Sequence, residues 1–328
     1  MNYRPLGKTG FRISELSLGT WQVGGKWGEP FDDQIAESIL HAAIDAGVNF
    51  IDTADVYSAG LSEEAVGRVV RSRKEHVYVA TKCGRQITPH TNVGYTETAL
   101  RGYVEDSLRR TGLERLDLIQ LHCPPTEVYY RPEIFGLFER LREEGKIAHL
   151  GISVEKVEEA LKGMEYDNVA SVQIIFNVFR QRPSGLFFQR ARERNVGVIV
   201  RVPLASGLLT GKFDATSTFS AEDHRNFNRE GAGFDKGETF SGVDYDLGLR
   251  AMERIKALFP GESNLAPRAL QWILRFPEVS CIIPGASRVQ HLYSNLSAAE
   301  LPPLSDEQVA GMNAVYEDLI KEGVHQRW

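Results

Sequence analysis

The sequence predicts an α/β protein: a closed (β/α)8 barrel of the TIM type, with an N-terminal β-hairpin and a long loop after the seventh barrel strand. Three observations carry this. Short apolar runs that end on a polar residue or glycine alternate along the chain with amphipathic helical stretches. Eight such strand–helix units follow one another over roughly 270 residues, the count and spacing of a closed barrel. With 328 residues and 42% hydrophobic content, the chain is long enough to bury the core that such a barrel needs. We expect residues 1–328 to form one barrel domain, since no linker or low-complexity tract interrupts them.

The first segment, "YRPLGKTGFRIS", reads as two short strands about a Gly-Lys-Thr-Gly turn, outside the eightfold count and suited to covering the barrel floor. The eight strands follow as "ELSLGT" (15–20), "NFIDTA" (49–54), "VYVATK" (77–82), "LDLIQLH" (116–122), "IAHLGIS" (147–153), "SVQIIFN" (171–177), "GVIVRVP" (197–203) and "SCIIPGAS" (280–287). Between them lie helices such as "DDQIAESILHAAIDAG" and "ETALRGYVEDSLRRTG", each opening on a capping residue and closing on glycine. Residues 205–245 are far longer than the few residues usual between barrel elements, and at the C-terminal rim such a loop reads as a lid. A last helical pattern, "SDEQVAGMNAVYEDLIKEG", precedes "VHQRW".

Composition narrows the function. A net charge of −6 with no basic block argues against nucleic acid or an anionic membrane as partner. The three cysteines, Cys83, Cys123 and Cys281, are isolated and never spaced as CxxC, so neither a disulfide framework nor a thiolate metal site is expected. With no signal-peptide pattern and no apolar run of about 18 residues, a cytoplasmic location is expected, and the sequon at Asn295 is then without consequence.

In a barrel of this type chemistry belongs at the C-terminal strand ends. Strand two ends on Asp52, with Tyr57 in the next loop; strand three ends on Lys82, strand four on His122 and strand five on Ser153, while strand six carries Gln173. Each has an ordinary structural reading alone: a helix cap, an ion pair, loop packing. Together they suggest a buried Asp52–Lys82 pair beside a phenol, whose pKa the ammonium is expected to lower, with His122 free to orient a carbonyl oxygen.

"FIDTADVY", "VATK" and "LIQLH" place this Asp, Tyr, Lys and His in register over three strands, and "GT" after strand one, "GIS" after strand five and "PLASGLLTGK" after strand seven complete the pattern. On these residues the chain resembles the aldo-keto reductase family over essentially its whole length. The resemblance implies NADP(H)-dependent reduction of an aldehyde or ketone, with catalytic residues Tyr57, Asp52, Lys82 and His122. It also implies an extended coenzyme across the barrel mouth without a Rossmann fold. No GxGxxG follows a strand here, and "SGLLTGK" is not a phosphate loop, because Ser206 stands at its first glycine and Phe213 follows its lysine.

By the same resemblance Gly19, Thr20 and Trp21 lie along the nicotinamide ribose, with Asp52 beside them, and Ser153 and Gln173 bond the carboxamide. Pro203, Leu204, Ser206, Gly207, Leu208 and Lys212 meet the pyrophosphate. Gly285, Ser287 and Arg288 gather at the 2′-phosphate, where the alternative is a plain helix cap on Ser287, and Asn295 reaches the adenine. Three departures stand out. Arg201 occupies the place of an aromatic that stacks on the nicotinamide, Val154 that of an Asn, and His291 that of an Arg or Gln.

Trp21, Trp27, Tyr129, Tyr130 and the lid are expected to line a pocket for a small-molecule carbonyl substrate, with no obligate protein partner. Two other readings are a nucleotide-sensing module similar to the potassium-channel beta subunits, and a metal-dependent lyase or hydrolase. The second is short of ligands, since the strand ends offer one His and no HxH pair.

Overall fold

The computed structural model describes residues 1–25 and 29–328. Two strands, β1 (Tyr3–Pro5) and β2 (Arg12–Ser14), form the antiparallel hairpin about a turn at Gly7–Thr9. Eight parallel strands follow in sequential order: β3 (Leu18–Gly19), β4 (Phe50–Asp52), β5 (Tyr78–Cys83), β6 (Leu116–His122), β7 (Ile147–Ser153), β8 (Val169–Ile175), β9 (Gly197–Arg201) and β10 (Val279–Ile282). The ring closes through parallel bridges Leu16↔Ile282 and Gly19↔Gly285. Glycine is required at this seam, because a Cβ on Gly19 would sit 2.7 Å from the Ile283 carbonyl oxygen.

Seven consecutive parallel pairs demand a crossover on the outside between strands, and the sequence supplies helices for them. They include α1 (Asp33–Asp45), α2 (Leu61–Ser72), α3 (Glu97–Thr111), α4 (Pro132–Glu143), α5 (Val157–Gly163) and α6 (Leu186–Glu193). Helix α1 starts where Asp32 accepts a hydrogen bond from the Ile35 amide, and α3 starts on Thr96 and stops at Gly112, whose φ is 65°. Their apolar faces and the outward residues of the strands make one continuous core. A smaller core fills the barrel: Leu6 and Ile13 of the hairpin pack on Phe50, Ala80, Leu118, Ile199 and Cys281, so the hairpin closes the floor as its sequence suggested.

The loop after β9 crosses the mouth, carrying only the short helix α7 (His224–Phe227) and isolated turns. It leads to α8 (Tyr245–Lys256) and α9 (Ala266–Leu274), and β10 is followed by α10 (Val289–Leu296). The tail forms α11 (Asp306–Val315), opened by the Ser305–Gln308 capping box. Trp328 wedges under the lid: its indole N–H donates to Asp235 at 2.7 Å, the Arg180 guanidinium lies 4.1 Å from its ring centre, and a Cβ on Gly242 would meet the ring at 2.4 Å. Among the described residues no helix is long and apolar enough to cross a membrane.

Candidate active site

Strand register brings the polar residues together at the rim. Lys82 pairs with Gln120, and His122, Ser153 and Gln173 form one row across β6, β7 and β8. Gly151 leaves room for that row's neighbour, since a Cβ there would come within 3.1 Å of the Gln120 side chain.

Lys82 is fully buried, and its three N–H donors are all used. They go to an Asp52 carboxylate oxygen, to the Thr53 carbonyl at 2.7 Å and to the Tyr57 hydroxyl oxygen at 3.2 Å. The other Asp52 oxygen accepts from Gln120 at 2.9 Å and from Gln173 at 2.8 Å. Burial would strip the ammonium of its proton, but Asp52, and after it Tyr57, reverse that and leave the Lys82 pKa above its ordinary value. Because the Tyr57 oxygen accepts from Lys82, its own O–H remains for an acceptor in the cavity.

The phenol behaves differently from the sequence expectation. Burial pushes the Tyr57 pKa upward more than Lys82 draws it down, and Asp52 adds to the rise, so its net shift is up. The sequence showed the ammonium and not the low-dielectric wall around the ring. His122 is depressed well below 6.5, first by burial and then by Arg85, Lys82 and Arg201. It is therefore a neutral imidazole, with Nδ1 buried and lacking a partner and its ring 6.0 Å from that of Tyr57, edge to face.

These groups line one end of a cavity of about 610 Å³ that runs along the mouth. Its wall includes Gly19, Thr20, Trp21, Asp52, Tyr57, His122, Gln173, Arg201, Pro203, Leu204, Ser206, Gly207, Lys212, Gly285, Ser287, Arg288, His291 and Asn295. Lys212 and Arg288 both act on His291, lowering its pKa after burial has done so, which shows that three basic side chains converge at the far end.

Several expected residues hold other positions. Ser153 is buried behind the wall with its hydroxyl 3.5 Å from Cys123 Sγ, and Leu208 is packed in the core. The Gln173 amide nitrogen is committed to Asp52, the Gly207 amide to the Leu204 carbonyl at 2.9 Å, and the Ser206 hydroxyl to the lid, where it accepts from the Phe240 amide at 3.1 Å. Helix α10 has its N-cap position at Arg288 rather than at Ser287, whose hydroxyl lies 3.2 Å from His291 Nδ1. Tyr129 is a core residue and Tyr130 a surface one, so neither lines the cavity, and Trp27 lies outside the described residues. The lid does line it, through Phe213, His224, Arg225, Phe234 and Glu238 among others.

The sequence reading missed Gln120, Arg85, Glu155 and Glu238. Gln120 was detectable: it shares with His122 the face of the strand that Leu116 and Leu118 otherwise make apolar. The others meet only in space. Arg85 bonds Glu238 at 2.8 Å, and Arg201 bonds Glu155 at 2.8 Å and approaches Glu238 at 3.3 Å.

The family comparison decides how the arrangement is classed. The family model described as "Aldo/keto reductase family" matches residues 15–317.

The chain belongs to the aldo/keto reductase family.

Aldo/keto reductases with solved structures share its fold: the holo form of the aldo-keto reductase AKR11C1 from Bacillus halodurans superposes with a TM-score of 0.78 at 25% identity, covering 99% of this chain and 100% of that one. Among curated relatives, the "Uncharacterized oxidoreductase YqkF" of Bacillus subtilis (strain 168) is 29% identical over 319 residues, 96% of each chain. The "NADH-specific methylglyoxal reductase" of Escherichia coli (strain K12) is 27% identical over 333 residues, 96% of this chain and 98% of its own. This chain is thus an oxidoreductase of a family that works with nicotinamide coenzymes.

Proposed function

We propose that this aldo/keto reductase converts an aldehyde or ketone to an alcohol, reversibly, with Tyr57 giving the proton to the carbonyl oxygen. The observation that carries the reading is the Lys82 ammonium, whose three donors are shared among Asp52, Thr53 and Tyr57. Donation into the Tyr57 oxygen polarises the O–H and stabilises the phenolate as its proton leaves. Asp52, itself held by two glutamine amides, fixes the ammonium in place. Neutral His122 donates an N–H to the same carbonyl oxygen, placing two donors around the atom where negative charge develops.

The cavity fits a nicotinamide coenzyme. It has the Tyr57–His122 pair at one end and cationic Lys212 and Arg288 around His291 at the other, as an elongated polyanionic nucleotide requires. Bound there, the coenzyme supplies the hydride. Lys212, Ser287, Arg288, His291 and Asn295, with Gly285, would hold its adenosine end, and Thr20, Trp21 and Gln173 its other end. Ser206, Gly207 and Leu204 line the middle. The paired cations favour NADPH, whereas the named specificity of the E. coli relative is NADH, so the choice belongs to the experiment. Trp21, Phe234 and His224 beside Arg85 and Glu238 suit a small polar carbonyl compound.

The test follows loss of NADPH and NADH absorbance with a panel of aldehydes and ketones, with and without a chelator. Chelator-insensitive consumption matched by alcohol formation is expected. Tight nucleotide binding without turnover of any compound would favour a nucleotide-sensing module instead.

A further inference from the structure

A charged cluster in the cavity wall plays no part in the proton transfer above. Arg201, the last residue of β9, donates to Glu155 Oε2 at 2.8 Å and to the Val154 carbonyl at 3.1 Å, while its other terminal nitrogen lies 3.3 Å from Glu238. Glu238, reaching down from the lid, also accepts from Arg85 at 2.8 Å. One oxygen of each carboxylate and the Cys123 sulfur lie within 4.8 Å of one another. Arg201 Nε and Glu155 Oε1 are buried with no hydrogen-bond partner.

Two guanidinium groups thus face two carboxyl groups, and the net charge is +1 or zero according to whether Glu155 carries a proton. Burial, and after it the neighbouring Glu238 charge, push Glu155 up to about 8 against the pull of Arg201. Glu238 is held down at about 2 by Arg85 and Arg201, which outweigh its burial. The groups facing Glu155 are Arg201 from β9, Glu238 and Asp235 from the lid, and Arg180 after β8. Cys123 after β6 also meets it but is kept a neutral thiol by burial, and His122 and Tyr57 feel Arg201 from across the cavity.

Arg201, Val202, Pro203 and Leu204 are consecutive wall residues between Tyr57 and the Ser206–Lys212 limb. A coenzyme spanning the two ends crosses this stretch with its redox-active ring at the Tyr57 end, beside Arg201. That ring is neutral when reduced and cationic when oxidised. We infer that Glu155 and Arg201 form a proton-linked selector of the coenzyme's oxidation state: with Glu155 protonated, the net positive charge of the cluster at Arg201 disfavours the oxidised form, and release of that proton to solvent removes the penalty. The inference rests on the coenzyme reading above and makes Glu155 a positioning residue.

The test is fluorescence titration of the full chain with NADP+ and with NADPH, in steps over roughly pH 6.5–9.5. The Kd ratio of oxidised to reduced form cancels ionisation of the 2′-phosphate. We expect this ratio to fall about tenfold as pH rises through the Glu155 transition, the size of one unit charge a few ångströms away. Glu155→Gln should hold it at its acidic value throughout, and Arg201→Gln at a low, flat one. Calorimetry on the unmutated chain in buffers of different ionisation enthalpy should show more proton release with NADP+ than with NADPH, whether or not the variants fold. Tight binding of both nucleotides with a flat ratio and no greater release with NADP+ overturns this inference alone. Binding of neither these nor NAD+ and NADH overturns the coenzyme reading and the inference with it.

Discussion

Lys82 Nζ lies 3.2 Å from the Tyr57 hydroxyl and is gripped from its other side by Asp52, so one buried ammonium couples a strand-end carboxylate to a phenol in the following loop. Tyr57→Phe removes the proposed proton donor and leaves the Lys82–Asp52 pair in place. Turnover should fall by at least about 100-fold, the usual size of a general-acid contribution, while the Kd for NADPH stays within a few-fold. The paired measurement is steady-state reduction and fluorescence titration; retained turnover would remove Tyr57 from the mechanism.

His122 makes stability depend on pH. Its folded pKa lies below the unfolded value of about 6.5, so the unfolded chain binds the additional proton and stability falls as pH drops below that value. Thermal unfolding between roughly pH 7 and 5 should show a declining Tm, with a shallower decline in His122→Gln. Equal slopes would mean that other groups set the dependence.

Arg288 is placed to test coenzyme choice. It stands at the N-cap position of α10 and, with Lys212, acts on His291. If Arg288 meets the 2′-phosphate as proposed, Arg288→Ala should raise the Kd for NADPH about tenfold or more, with little change for NADH. Parallel weakening of both nucleotides would place Arg288 elsewhere along the coenzyme.

The lid is latched through Glu238, which Arg85 and Arg201 share. Glu238→Gln takes the carboxylate away from half-buried Arg85 and leaves buried Arg201 with Glu155 alone, and breaking a buried ion pair costs on the order of 3–5 kcal/mol. The lid should then open more often. Trypsin cleavage after Arg229, an exposed lid residue, should accelerate by about tenfold or more under native conditions if local opening limits cleavage. An unchanged cleavage rate would show that Trp328 and its partners hold the lid without Glu238.

The order and number of barrel elements could be read from the chain because each strand–helix unit carries its own local signals: an apolar run, a capping residue, a closing glycine. Asp52, Lys82 and His122 were legible for a related reason. A polar residue at the end of a run buried on both faces stands out against its neighbours, and the barrel rule says where such ends meet. Gln120 carried the same signal within its strand.

What the sequence alone determined, then, was the barrel and its hairpin floor, and through patterns a few residues long it marked Asp52, Tyr57, Lys82 and His122 as one candidate set. Only the tertiary structure decided the electrostatics. The direction of the Tyr57 shift depends on how much water the assembled wall excludes. The Arg85–Glu238–Arg201–Glu155 cluster joins four segments separated by up to 153 positions in the chain. Interactions of that kind act through space across a low-dielectric interior, and no local pattern in the chain encodes the distance between charges that folding brings together.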